Sequence, residues 1–133
     1  MRIALLAMLA VGAVGAQEAA LVVVEKKAGE VGFYSRGVFR GRRAMLAFST
    51  GGPREMYGET GLNGRADVVL WPLQNGVLNF VGYDVLPYFQ APGPARADDA
   101  TRAAILEEWR QRLLAIDTTP KLVFHDLDDF DSE

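Results

Sequence analysis

Residues 44–48, Ala-Met-Leu-Ala-Phe, make an unbroken apolar run that stops at Ser49-Thr50-Gly51-Gly52. An apolar run of this length, closed by paired glycines, reads as a β-strand ending in a tight turn. The turn leaves bare backbone N–H groups at the carboxyl edge of a sheet. In open α/β sheets that edge is where planar cofactors and phosphates bind. A polar loop carrying Tyr57 follows and runs to Gly64.

The rest of the chain fits around this strand. A helix is expected from about Arg65 to Val81, bent or weakened at Pro72 and Gly76. Residues 83–89 read as a second strand, with Pro87 implying an edge position or a strand end. Asp98 or Asp99 is placed to cap a second helix running to about Ile116. Ile105, Trp109, Leu113 and Ile116 share one face of it, opposite Glu107, Arg110 and Gln111. Trp109 on that face reads as a core anchor. Strand, helix, strand, helix predicts parallel pairing of the two strands through a right-handed crossover.

Composition bounds the function. With 133 residues, the chain has room for one small domain. Its net charge of −3 argues against nucleic acid as a partner. Arg36, Arg40, Arg42 and Arg43 cluster without interleaved aromatics and read as a solvated turn. There is no Cys, which excludes disulfides, thiolate catalysis and Cys-based metal sites. The single His, His125, stands in the tail, where a Ser-His-Asp triad is not expected. The acidic residues 126–133 lack the spacing and central Gly of a calcium loop and read as a solvated tail.

The N-terminal stretch points another way. Met1-Arg2 precedes an apolar, Ala- and Gly-rich run to Ala16, the layout of a secretory signal peptide cleaved after Ala16. The run is too short and too rich in small residues for a membrane span. A buried strand or helix, or an unselected start upstream of a truncated gene, is the other reading of it. Residues 20–25 read as a short buried strand and are the expected replacement partner for the strand at 44–49.

Several blocks in order carry a resemblance. They are Gly37-Val38-Phe39-Arg40-Gly41, Ser49-Thr50-Gly51-Gly52, Met56-Tyr57, Leu70-Trp71-Pro72, Gly82-Tyr83-Asp84-Val85-Leu86, Glu107-Glu108-Trp109 and Pro120-Lys121-Leu122-Val123-Phe124. Together they resemble the NAD(P)H quinone oxidoreductases, the DT-diaphorase branch of the flavodoxin-like fold. The resemblance covers residues 33–133, and residues 1–32 stand outside it as a signal-like or non-homologous segment.

The resemblance implies the C-terminal half of a flavodoxin-like α/β fold, a partial parallel sheet with flanking helices. It implies a flavin, FAD or alternatively FMN, that takes a hydride from NADH or NADPH and passes two electrons to a quinone in ping-pong order. Ser49, Thr50, Gly51, Gly52 and Tyr57 would contact the cofactor, with Tyr57 donating a hydrogen bond where negative charge develops on reduction. Asn63 stands where a well-known member has His; Asn donates a hydrogen bond but carries no proton at neutral pH. The resemblance also implies a cytoplasmic protein and a homodimer. The family's phosphate-binding half has no counterpart before Phe39, so this chain alone is expected to bind flavin weakly or not at all. The alternative is a catalytically inactive remnant, or a small exported α/β protein that is not an enzyme.

Overall fold

The computed structural model describes residues 3–7, 22–26 and 32–130. Strand β1 (Ile3–Ala7) pairs antiparallel with strand β2 (Val22–Lys26), setting Leu5 opposite Val24. The expected partnership of residues 20–25 with the strand at 44–49 is therefore corrected. The β-branched run of β2 finds its ladder in the apolar start of the chain, where closing the intervening loop costs less entropy than a distant pairing. The proposed cleavage point after Ala16 lies outside the described residues.

Strand β3 (Arg43–Thr50) pairs in parallel with strand β4 (Asp84–Pro92). This is the pairing that the strand–helix–strand pattern predicts. The register runs Met45 to Leu86 and then Ala47 to Phe89, so β4 carries one extra residue at Pro87-Tyr88. Pro87 has no N–H to give to the ladder, and a bulge is where a strand tolerates that loss. The bulge also shifts the side-chain alternation. Val85 and Leu86 are both buried before it, and Phe89 and Gln90 after it. β4 is thus covered on both faces, as a strand in a parallel sheet must be. Beyond β4, the Leu122 N–H donates to the Val85 carbonyl at 2.8 Å.

The crossover begins with helix α1 (Ala66–Leu73) and continues as a π-helical segment, Gln74–Asn79. The single bent helix expected over 65–81 is two helical forms in series. Pro72 lacks the N–H that would continue the α-helical ladder, and the chain widens into a π turn directly after it. At the end of this turn Phe80 stacks on Phe33 at 4.5 Å, and Tyr83 stacks on Phe39 at 4.7 Å. These contacts bring two backbones together at Gly37 and Gly82. A Cβ on Gly37 would stand 2.4 Å from the Val81 carbonyl oxygen, and Gly82 has φ +100. Both positions require glycine for physical reasons.

Helix α2 (Asp99–Leu114) is capped by Asp98, whose carboxylate accepts the Thr101 N–H at 2.8 Å. Trp109 packs on Phe89 of β4, with ring centroids 4.9 Å apart, which is the core-anchor role expected of it. On the outer face Glu107 is bound by Arg110 and Gln111, which hold its carboxyl down to about 2. Arg43, expected in a solvated turn, instead donates to the Asp117 and Thr119 carbonyls and ties the start of β3 to the segment after α2. The tail is also less free than its composition suggests. The Ser35 hydroxyl donates to Asp126 at 2.6 Å, and Asp126 and Asp129 cap a short turn reciprocally. Among the described residues no helix is long and apolar enough to cross a membrane, and no three His, Asp or Glu side chains come together as a metal site would require.

Leu86 is 1% exposed at the centre of β4, whereas Leu114 at the end of α2 is 68% exposed. Leu86→Ala is expected to lower unfolding stability by about 3 kcal/mol, and Leu114→Ala by less than about 0.5 kcal/mol. Urea denaturation followed by circular dichroism measures both.

Candidate functional site

The carboxyl ends of β3 and β4 lie side by side, with Ser49 opposite Ala91 and Thr50 opposite Pro92. Ser49 is exposed and Thr50 is buried. The Thr50 hydroxyl accepts from the Gln90 side-chain amide at 3.1 Å and donates to the Gly52 carbonyl at 3.0 Å. The Gly93 N–H closes on the Thr50 carbonyl at 2.8 Å. Thr50 is therefore the fixed corner from which the glycine turn departs, and its hydroxyl is already engaged.

Gly51 and Gly52 differ. A Cβ on Gly51 would meet nothing within 4 Å, so this backbone faces open space. A Cβ on Gly52 would stand 2.4 Å from the Met56 sulfur. The bare face of Gly51 thus admits close approach of a flat group, while Gly52 lets the loop fold back on Met56.

The loop itself is held by its own backbone. Arg54–Tyr57 form a 3-10 turn after Pro53, with the Gly58 N–H donating to Glu55 at 3.2 Å. The Asn63 N–H donates to the Met56 carbonyl at 2.9 Å, which sets Asn63 beside the residue preceding Tyr57. Gly61 must be glycine there, since a Cβ would lie 2.4 Å from the same carbonyl oxygen. Tyr57 is half-buried and Asn63 is exposed. Met56 therefore links the two parts of the loop, its sulfur set against Gly52 and its carbonyl holding Asn63, with Tyr57 next to it in the chain.

Three residues join the site that the sequence reading did not single out. Arg54 donates to the Gln90 carbonyl at 3.1 Å and to the Glu108 carboxylate at 3.0 Å, clipping the loop to both β4 and α2. Gln90 is the buried partner of Thr50. A polar residue in an otherwise apolar strand needs such a partner, and that was the signal available for it. Arg96 stands with Arg54, Glu55, Gly51 and Gly93 around a cavity of about 480 Å³ that reaches the first turn of α2. Arg54 is already paired with Glu108, so the charge presented to this cavity is Arg96 set against Glu55.

A family profile described as "Flavodoxin-like fold" matches residues 21–113. The chain belongs to the flavodoxin-like fold family. It is 42% identical over 85 residues to human ribosyldihydronicotinamide dehydrogenase [quinone], an alignment covering 64% of this chain and 37% of that protein. It is 38% identical over 88 residues to NAD(P)H dehydrogenase [quinone] 1 of Cavia porcellus, covering 65% of this chain and 32% of that one. A crystal structure from Klebsiella pneumoniae described as a quinone reductase superposes with a TM-score of 0.67 at 33% identity, over 70% of this chain and 36% of that chain. The likeness to NAD(P)H quinone oxidoreductases read from the motif order therefore stands. The chain spans about a third of the length of these relatives.

Within the flavodoxin-like frame, β3, the crossover and β4 present the loop at a carboxyl edge, the side of such sheets that receives ligands. Gly61→Ala is expected to push the Met56 carbonyl aside and break the Asn63 bond. Amide hydrogen exchange at Asn63 should then accelerate by at least about tenfold, as for loss of a bond that had closed a loop. Gly51→Ala, with open space at its Cβ, should leave Asn63 exchange unchanged.

Proposed function

We propose that this chain serves two-electron reduction of quinones by NADH or NADPH through a bound flavin, with the turn after β3 as the wall that faces the flavin ring. The observation that carries the reading is the open backbone face of Gly51 at the end of β3, next to the Thr50 corner. The likeness to quinone dehydrogenases at 38–42% identity supports the substrate class.

The residues fit a flavin. A flat ring needs a wall without side chains, and Gly51 supplies one. The anionic tail of the cofactor would need cationic or N–H donors, and Arg96 stands at the adjacent cavity. When bound, the flavin supplies the hydride acceptance and donation.

The chain's own residues then have distinct tasks. Thr50, locked by Gln90, holds the turn rigid so that the Gly51 backbone keeps its distance from the ring. Tyr57 would donate a hydrogen bond toward the ring edge where negative charge gathers on reduction. Asn63 donates through its amide and carries no proton, so any proton delivered to the quinone comes from Tyr57 or from water. A protein that draws on NAD(P)H would work in the cytoplasm, which is the compartment this reading favours over export.

Titration of FAD into the full chain, followed by flavin fluorescence quenching, is expected to show weak but saturable binding. Gly51→Val should abolish it. Tyr57→Phe should preserve it while cutting NADH-dependent quinone reduction by about 10²-fold, the loss typical of one such donor. Flavin that neither saturates nor responds to Gly51→Val would overturn the reading in favour of a non-catalytic protein.

A further inference from the structure

The loop over residues 53–64 carries Tyr57 and Asn63, yet little of it is tied to the body of the fold. Its backbone hydrogen bonds close within the loop: Met56 to Pro53, Gly58 to Glu55, Gly61 to Gly58, Asn63 to Met56 and Gly64 to Gly61. Leu62 is exposed, and Met56 packs on Gly52, which belongs to the glycine turn itself. Among the described residues, Arg54 is the one side chain of the loop that hydrogen-bonds to β4 or α2.

That link is made by a single nitrogen. Arg54 Nη2 donates to the Gln90 carbonyl at 3.1 Å and to the two Glu108 oxygens at 3.0 and 3.3 Å. Gln90 is buried, and its side-chain amide donates to the Thr50 hydroxyl at 3.1 Å. One residue of β4 therefore holds the glycine turn at both ends, Thr50 through its side chain and Arg54 through its carbonyl. The 3-10 turn Arg54–Tyr57 carries this constraint directly to Tyr57. The side chains of Arg54 and Glu108 are 50% and 42% exposed. An ion pair so open to water adds little stability, so its effect lies in position.

We propose that Arg54 is a positioning residue for quinone reduction: its bonds to Gln90 and Glu108 hold the far end of the glycine turn and set Tyr57 against the flavin ring. Its role in the chemistry rests on the flavin reading; the geometry of the clip does not. A turn pinned at Thr50 alone would leave Tyr57 on a loop without a second tie. A residue that acts through Tyr57 has little effect of its own once the Tyr57 hydroxyl is gone, which separates it from one that only supports the fold.

Arg54→Met keeps an apolar stem and removes the donors. In the flavin-free full chain, nitrogen-15 relaxation is expected to show the amides of residues 51–58 falling from order parameters of about 0.85 toward about 0.6, with Val85 and Leu86 unchanged. At saturating FAD, Arg54→Met should lower kcat for NADH-dependent quinone reduction by at least about tenfold, the scale of a small misplacement near a reacting centre. The KM for NADH should stay within about twofold. In the Tyr57→Phe background the same substitution should change kcat by less than about twofold. Unchanged order parameters, or an equal loss of kcat with and without the Tyr57 hydroxyl, would overturn the proposal. A native chain that neither binds flavin nor reduces quinone would sink the flavin reading and with it the role in turnover, while the relaxation comparison still decides whether Arg54 holds the loop. Where Arg54→Met fails to fold, Glu108→Ala removes the α2 half of the clip and is read in the same way.

Discussion

The parallel ladder between β3 and β4 is the constraint on which the remaining structure depends. It fixes the height at which both strands end, and so where the Ser49–Gly52 turn leaves the sheet. Parallel strands cannot be joined by a short turn, so the crossover through α1 and the π segment follows from the ladder. The bulge at Pro87 lets the ladder absorb a residue that cannot donate. Because it also resets the side-chain alternation, Gln90 comes to lie buried beside Thr50. A single hydrogen bond, Gln90 to Thr50, then couples the packing of the strand pair to the geometry of the glycine turn.

The loop from Pro53 to Gly64 adds little apolar burial and is shaped by backbone bonds and by contacts that only glycine permits. Met56 is its hub. Its sulfur fills the space over Gly52, and its carbonyl takes the Asn63 N–H next to Gly61. Arg54 ties the same loop to β4 and α2 by charge-assisted bonds at the surface, where such pairs position more than they stabilise. The candidate site is therefore a rigid corner at Thr50 carrying a loop anchored at both ends, a suitable support for groups that must hold a set distance from a ligand.

Much of this was legible in the residues themselves. The apolar run at 44–48 ending in paired glycines located β3 and its turn. The face of Ile105, Trp109 and Leu113 located α2, and Asp98 its cap. Pro72 and Gly76 announced a break in the crossover helix. They could not announce a π turn, because a missing N–H is met by a kink, a break or a wider turn alike. The partner of β2 was misread because a β-branched run carries no record of which strand it joins. Gln90, Arg54 and Arg96 escaped notice because polar residues show their roles only once the bulge and the strand ends bring them together.

The central claim, that the turn after β3 faces the flavin ring, is tested most directly by amide hydrogen exchange of the full chain with and without FAD. Protection concentrated at Gly51, Gly52 and the Tyr57–Asn63 loop, with the Val85–Leu86 amides unchanged, is the result the account predicts. Protection absent from Gly51 and Gly52, or confined to residues 122–124, would contradict it.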